Sequence, residues 1–180
     1  MRWIIKTGNI VDEPADVLIC SANPHLTLSG GVGADLLARF GLNMQAALQD
    51  VVRNRSPHFL NRGEIVPYSG TELPYRAVLH AVAIDGWYVS SPQAIEQITE
   101  AALQMASSYG ARRVALAALA TGFGHLSLAE FAQGLHPLLL KNFSPVEEVV
   151  ICLLEDYRAR ELASHLPQAE LALPVFDQGS

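Results

Sequence analysis

Residues 16–40 read DVLICSANPHLTLSGGVGADLLARF, and this stretch decides the fold. It begins with a nearly all-apolar run around Val17, as expected for a strand that is covered on both faces. It then passes through a glycine-rich turn at Ser29–Gly33 and ends in a helical pattern over Asp35–Phe40. A buried strand that leads through a short loop into a helix is typical of α/β proteins.

Five more short runs rich in Val, Ile and Leu continue this pattern along the chain. The six predicted strands are Arg2–Lys6, Asp16–Ser21, Glu64–Tyr68, Ala77–Val82, Arg113–Ala118 and Glu148–Leu154. Helical patterns fill the gaps, one capped by Ser127 and one over Glu155–His165, while Pro67 places its strand near a sheet edge or a strand end. This order predicts a three-layer α/β/α sandwich around a central mixed sheet of about six strands. We expect a single domain over residues 1–166 and a loosely ordered C-terminal tail over residues 167–180.

The composition narrows the class of protein further. The 180 residues are 50% hydrophobic and 17% charged, which excludes a disordered chain. Twelve Lys and Arg against eighteen Asp and Glu give a net charge of −6, which disfavours duplex nucleic acid as a partner. We expect no membrane partner and a cytoplasmic location, because the apolar runs break off well before ~18 residues and no signal peptide is recognisable. Cys20 and Cys152 are predicted to be buried free thiols. The histidines show no paired spacing for a metal, so we expect no metal, and we expect no other cofactor either.

Two glycine-rich segments follow predicted strands, and both are candidates for binding an anion. The first runs from Asn23 to Asp35, and the second is Ala120–His125. Both are expected at the carboxyl edge of the sheet, where ligands of open α/β folds bind. Glycines let backbone N–H groups approach a ligand, and a helix behind each loop adds a field that favours phosphate. Two such loops suit a diphosphate, but the same pattern also fits two tight turns with no ligand.

The common nucleotide motifs are absent from both segments. No Lys-Ser or Lys-Thr pair follows either loop, so neither is a Walker A loop. Leu36 also stands where the third glycine of the dinucleotide-binding fingerprint should be. A ligand of these loops is therefore expected to be held by neither a Walker A loop nor a dinucleotide-binding fingerprint.

Four short motifs occur in a fixed order along the chain. They are Gly8-Asn9-Ile10, Ser21-Ala22-Asn23, Gly30-Gly31-Val32 and Ala117-Ala118-Leu119-Ala120-Thr121-Gly122-Phe123-Gly124. Together they resemble the macrodomain family (the Appr-1"-p processing type), whose members bind ADP-ribose, over roughly residues 2–165. The resemblance implies a macrodomain-like fold and a partner that is ADP-ribose or an ADP-ribosylated protein.

The resemblance also implies which residues form the site. The substrate-binding residues would be Asn9, Ile10, Ser29, Gly30, Gly31, Val32, Gly33, Ala120, Thr121, Gly122, Phe123, Gly124, His125 and Leu154. Asn23 is the catalytic candidate, since its amide would hydrogen-bond the distal ribose, although an Asn here also suits a turn backbone. Asn9 replaces an Asp that usually accepts a hydrogen bond from the adenine amine, and an amide oxygen accepts without charge assistance. Asp35 is interpreted as complementing the dipole at the start of its helix.

The end of the last long strand departs from the family pattern. Members often place an aromatic residue against adenine there, whereas this chain has Leu153-Leu154-Glu155. Leu154 is therefore expected to pack on the base without stacking, and Tyr157 lies near enough in sequence to substitute.

Three functions fit these residues. The first is a module that binds ADP-ribose or ADP-ribosylated protein through the two diphosphate loops. The second is a hydrolase that cleaves ADP-ribose from a modified acidic side chain, or a related ADP-ribose ester, with Asn23 orienting the ribose for attack by water. Gly33 lacks the carboxylate that one hydrolytic branch uses to position water, so the sequence leaves the enzyme question open. The third is a scaffold domain with an empty pocket.

Overall fold

Seven strands form one mixed sheet in the computed structural model, which describes residues 1–173. They are β1 (Arg2–Thr7), β2 (Val17–Ala22), β3 (Ile65–Tyr68), β4 (Ala77–Val82), β5 (Arg113–Ala117), β6 (Glu148–Leu153) and β7 (Glu170–Ala172). Their order across the sheet is β3-β4-β2-β5-β6-β1-β7. The β3–β4 pair is antiparallel, and the other pairs are parallel. The β2 and β5 strands therefore lie side by side in the middle of the sheet.

Within residues 1–173, five α-helices cover the sheet. They are α1 (Gly31–Phe40), α2 (Leu42–Arg53), α3 (Pro92–Ser108), α4 (Leu128–Leu135) and α5 (Asp156–His165), with 3₁₀ turns at Ile10–Asp12 and His136–Leu138. The α1 and α2 helices pack on each other, while α4 lies between α3 and α5. The predicted three-layer α/β/α sandwich is confirmed.

The seventh strand corrects the prediction for the C-terminal tail. Residues 170–172 pair in parallel with Ile4–Lys6 of β1, so this part of the predicted loose tail belongs to the sheet. A strand of three residues has too little periodicity to be read from sequence, and it forms because the edge of β1 offers unpaired backbone groups. Residues 174–180 lie outside the described residues, and the predicted domain limit at residue 166 stays a prediction.

The start of α1 also differs from its prediction. The helix begins at Gly31 instead of Asp35, so the glycines form its first turn and Asp35 lies in its second. Gly30 precedes the helix with φ of +76°, a left-handed conformation that glycine adopts without strain. Glycine is a weak helix former, which is why the sequence pattern starts the helix late.

Other local predictions are confirmed. Pro67 lies on β3, which is an edge strand. Ser127 and Glu130 form the capping box that begins α4. The α4 helix ends at Leu135, just before Pro137. Within the described residues, none of the helices has the length and apolarity that crossing a bilayer requires.

Both cysteines lie in the core as free thiols, as predicted. Cys20 is on β2 and is fully buried, while Cys152 on β6 is 8% exposed. Burial raises the pKa of each thiol to about 12, so both are protonated at neutral pH.

Candidate functional site

A cleft of about 560 Å³ opens at the carboxyl ends of the parallel strands. Residues that follow β4, β2, β5, β6 and β1 line it in turn, from Ala83 and Ile84 to Gly8 and Asn9. Neighbouring strands lie ~4.8 Å apart, so five of them span about 19 Å. The cleft therefore suits an elongated small molecule, and its volume is in the usual range for small-molecule sites.

The first loop presents the open N-terminus of α1 to this cleft. Gly30 is the N-cap residue and makes no side-chain cap to the helix. Among residues 1–173, no protein acceptor faces the backbone N–H groups of Gly31, Val32 or Gly33. Free N–H groups at the start of a helix carry partial positive charge, so they favour an anion such as phosphate.

Asn23 holds the turn that leads into the first loop. Its Oδ1 accepts from the backbone N–H groups of His25 at 3.0 Å and Thr27 at 3.3 Å, and its Nδ2 donates to the Thr27 carbonyl at 2.7 Å. Gln45 of α2 clamps the same turn, since its Oε1 accepts from the Leu28 N–H at 2.6 Å. Asn23 lines the cleft, and the second hydrogen of its Nδ2 has no protein acceptor among residues 1–173. Its predicted contact with a ribose stays a prediction.

The second loop, Ala120–Gly124, turns sharply after β5. Ala120 and His125 have positive φ values of 62° and 53°, which is uncommon for residues with a side chain. The Leu126 N–H donates to the Ala120 carbonyl at 3.0 Å and closes the turn. No acceptor from the described part of the chain meets the N–H groups of residues 122–124. This loop also offers backbone donors to an anion.

The two loops touch each other. The Ala120 N–H donates to Ser21 Oγ at the end of β2, at 3.1 Å. The Phe123 ring lies so close to Gly30 that a Cβ at Gly30 would come within 2.8 Å of the ring. A Cβ at Gly124 would come within 2.6 Å of the Ala120 carbonyl oxygen. The two sets of free N–H groups are thus held beside one cleft.

The helix that follows the second loop does not present an open N-terminus to the cleft, although the sequence predicted one. The α4 helix begins only at Leu128, and its first N–H groups are capped by its own residues. Ser127 Oγ accepts from the Glu130 N–H at 3.2 Å, and the Glu130 carboxylate accepts from the Ser127 N–H at 2.9 Å. The expectation of a helix field behind both loops is therefore wrong for the second loop.

Asn9 and Asp35 form a hydrogen-bonded pair at the β1 end of the cleft. Asn9 Oδ1 accepts from the Val11 N–H at 3.0 Å, and its Nδ2 donates to Asp35 Oδ2 at 3.0 Å. The interpretation of Asp35 as a dipole partner at the helix start is wrong, because α1 begins four residues earlier. Both residues line the cleft.

Most of the predicted site residues come together in the cleft. Those lining it are Asn9, Ile10, Asn23, Ser29, Gly30, Gly31, Val32, Gly33, Ala120, Thr121, Gly122, Phe123, Gly124 and Leu154. His125 is exposed and does not line the cleft, so its role in binding stays a prediction. Tyr157, the suggested substitute for Leu154, points to solvent and also lies outside the cleft.

Sequence reasoning missed several residues of the cleft, among them Arg158, Tyr88 and His80. Among the described residues that line the cleft, Arg158 of α5 is the one positively charged side chain of the Arg or Lys type. The Nη2 atom of Arg158 lies 3.4 Å from Thr121 Oγ1. Tyr88 lines the β4 end with φ of +62°. His80 lies beneath the cleft with its Nδ1 3.4 Å from Cys20 Sγ, and burial lowers the pKa of His80 to about 4. Of these three residues, only Arg158 could have been found from the sequence, because it lies in the helix that follows β6 at the carboxyl edge of the sheet.

A parallel sheet edge with two amide-lined loops around one cleft defines an α/β domain whose cleft is suited to an elongated anion. The family model for the Macro domain matches residues 19–135. The chain therefore belongs to the macro domain family.

Curated relatives and solved structures agree with this assignment. A macro domain-containing protein of Streptomyces griseus is 28% identical over 82% of this chain and 85% of its own length. An O-acetyl-ADP-ribose deacetylase of Klebsiella pneumoniae is 29% identical over 88% of this chain and 94% of its own. The structure of an Oceanobacillus iheyensis macrodomain mutant with ADPR has a TM-score of 0.78 at 20% identity, covering 91% of this chain and 90% of that one. At that identity, the structural likeness concerns the fold.

Proposed function

We propose that this chain binds ADP-ribose, free or attached to a protein, with its diphosphate between the two loops. The observation that carries the proposal is that the unpaired N–H groups of residues 31–33 and 122–124 line one cleft. Backbone donors replace cationic side chains here, which fits a net charge of −6. Arg158 adds one positive charge beside the second loop.

The shape of the cleft supports this ligand. The loops follow β2 and β5 in the middle of the sheet, so the diphosphate would have cleft on both sides of it. Asn23, which follows β2, and Tyr88, which follows β4, lie toward the β4 end, and Ile10 with Leu154 lies toward β1. One side is thus available for a ribose and the other for a base.

Calorimetry with ADP-ribose, ADP and ribose 5-phosphate tests the proposal. We expect ADP-ribose to bind more tightly than ribose 5-phosphate, because only the larger ligand engages both loops at once. We also expect ADP-ribose to raise the melting temperature, since a ligand of the folded state stabilises it. No heat and no shift of melting temperature at millimolar ADP-ribose would contradict the function.

A second candidate is hydrolysis of an ADP-ribose ester, favoured by the deacetylase relative from Klebsiella pneumoniae. For ADP-ribose on an acidic side chain, water would attack C1 of the distal ribose and the C1–O bond would break. The carboxylate would leave with the electron pair, and the proton of the water would go to solvent. Gly33 supplies no carboxylate to activate this water, so positioning by Asn23 and the loops would provide the acceleration.

Release of ADP-ribose from a peptide modified on Glu, and of acetate from O-acetyl-ADP-ribose, tests the second candidate. Asn23→Ala should lower turnover more than binding if Asn23 positions the reacting ribose. Calorimetry on the same variant separates this effect from loss of the Asn23 turn. Tight binding by the unaltered chain without release of either product would leave the binding function alone.

The location and other partners are also proposals. We propose that the chain acts in the cytoplasm and takes neither duplex nucleic acid nor membrane as a partner. The buried free thiols and the net charge of −6 support this. Cell fractionation tests the location and the absence of a membrane partner, and a binding assay with duplex DNA tests the absence of a nucleic-acid partner.

A further inference from the structure

The Asn9–Asp35 pair places a carboxylate at the β1 end of the cleft, beside apolar side chains. Ile10 and Leu153 are buried there beside Leu154, which is 64% exposed and lines the cleft. An aromatic ring needs apolar surface on its faces and polar groups at its edge. The β1 end of the cleft offers both.

The hydrogen bonds of Asn9 fix the orientation of its amide. Its oxygen accepts from the Val11 N–H, and its nitrogen donates to Asp35 Oδ2. A flipped amide would place N–H against N–H at Val11 and oxygen against carboxylate at Asp35. The oxygen of Asn9 is therefore occupied by the backbone, while the second hydrogen of its Nδ2 has no protein acceptor among residues 1–173 and is a donor available at the lining of the cleft.

Asp35 is the stronger acceptor at this end. Its Oδ2 is held by Asn9, while its Oδ1 has no protein donor among residues 1–173. It lies four residues after Gly31, so it is on the same face of α1, about 6 Å further along the helix. The helix that offers N–H groups to a phosphate thus also carries a free carboxylate oxygen along the cleft.

We propose that Asp35 accepts a hydrogen bond from the exocyclic amine of adenine and is the residue that selects this base, with Asn9 as the positioning residue that holds the carboxylate. The pair presents an acceptor beside a donor, and adenine presents an amine donor beside a ring-nitrogen acceptor. A 6-oxo purine would instead place its carbonyl oxygen against the carboxylate. This inference rests on the proposed binding of ADP-ribose.

Calorimetry with ADP-ribose and inosine diphosphate ribose, which differ in the amine and the carbonyl at position 6, tests the inference. The unaltered chain should prefer ADP-ribose by about tenfold or more. In Asp35→Ala the affinity for ADP-ribose should fall by about tenfold and the preference should shrink to about threefold or less. Asp35→Asn is nearly isosteric and should lose or reverse the preference with an unchanged melting temperature, because Asn9 Nδ2 would hold the amide oxygen and leave the amide nitrogen, a donor, facing the base.

Asn9→Ala tests the positioning role through the same ratio of affinities. We expect an intermediate preference, because Asp35 remains but is no longer held. Asp12→Asn is the matched control: Asp12 is an exposed carboxylate that pairs with Arg39 at 2.6 Å and does not line the cleft. It removes one negative charge near the site and should leave both affinities unchanged.

The outcomes separate this inference from the function it rests on. If the unaltered chain binds ADP-ribose but Asp35→Asn keeps the same preference, Asp35 does not select the base and the inference is wrong. Equal losses for both nucleotides in Asp35→Asn, or a preference of the unaltered chain for the inosine compound, would also overturn it. Absence of binding by the unaltered chain would instead contradict the proposed function.

Discussion

The two loops of the cleft offer the same chemical groups by different means. At the first loop, free N–H groups come from the uncapped start of α1, so the field of a ten-residue helix lies behind them. At the second loop, they come from a tight turn with positive φ at Ala120, and the helix that follows is capped by its own Ser127 and Glu130. A glycine-rich loop between a strand and a helix therefore does not by itself imply a helix N-terminus at the site.

This difference assigns the loops different parts in binding. The first loop supplies donors together with a helix field, whereas the second supplies donors whose positions depend on close backbone packing around Gly124. Substitutions at the first loop should therefore act through charge, and those at the second through geometry.

The largest effect is expected from Gly31→Glu in the first loop. Nothing lies within 4 Å of a Cβ at Gly31, so the side chain meets no neighbour, although the φ of +50° strains any residue other than glycine. The substitution brings a carboxylate to the phosphate position. Affinity for ADP-ribose should fall by about 100-fold or more, because the like charges repel. Gly41→Glu is the matched control, since Gly41 also has positive φ and open space but lies outside the cleft. Normal binding by Gly31→Glu, measured by calorimetry, would remove the first loop from the site.

A smaller loss is expected from Gly124→Ala in the second loop. A Cβ there would lie 2.6 Å from the Ala120 carbonyl oxygen and 2.7 Å from Ile84 Cγ2, so the turn must open. We expect about 1–3 kcal/mol less free energy of unfolding and about tenfold weaker binding, measured by denaturation and calorimetry. Gly122→Ala is the control, because its Cβ meets nothing within 4 Å. Equal behaviour of the two variants would contradict the geometric role of this loop.

Substitution of Arg158 tests how much a positively charged side chain adds to ligand binding at the second loop. Arg158→Gln should weaken ADP-ribose binding by about fivefold and reduce its dependence on salt, since one partly exposed charge is lost. Arg160→Gln alters an exposed arginine of the same helix outside the cleft and should have no effect. Isothermal titration at two salt concentrations distinguishes the variants.

The smallest effect on binding is expected from Ser127→Ala. Loss of this cap should lower the free energy of unfolding by about 1 kcal/mol. The affinity for ADP-ribose should stay within about twofold, because the first N–H groups of α4 bond to the residues of the cap and do not face the cleft. Hydrogen bonds from the Ser127 hydroxyl and then its backbone N–H lower the pKa of Glu130. The stability that Glu130 gains this way is present above its unfolded pKa and is lost as the pH falls through the lower folded pKa. Thermal melts between pH 3 and pH 7 should therefore show a weaker acid dependence in Ser127→Ala, and a large loss of affinity would contradict the comparison of the loops.

Much of the fold is readable from local patterns. Buried parallel strands such as β2 appear as unbroken apolar runs, and the cap of α4 appears as Ser and Glu at the right spacing. The edge position of β3 follows from the missing N–H of Pro67. These predictions are confirmed because each depends on residues close together in the chain.

The rest depends on contacts between distant segments. The β7 strand exists through its pairing with Ile4–Lys6, which no local periodicity records. Asp35 meets Asn9 across 26 positions of the chain, and Arg158 reaches Thr121 across 37. Side chains that complete the cleft from another element are therefore the part of the site that sequence reasoning missed.

The two buried thiols offer a built-in chemical probe of the cleft. With a pKa of about 12, each is almost entirely protonated at pH 8, so alkylation of the folded chain requires a local or global opening. Cys152 lines the cleft, whereas Cys20 does not. A nucleotide that slows labelling of Cys152 more than that of Cys20 is covering the β1 end of the groove, and equal slowing of both reports a general stabilisation of the domain.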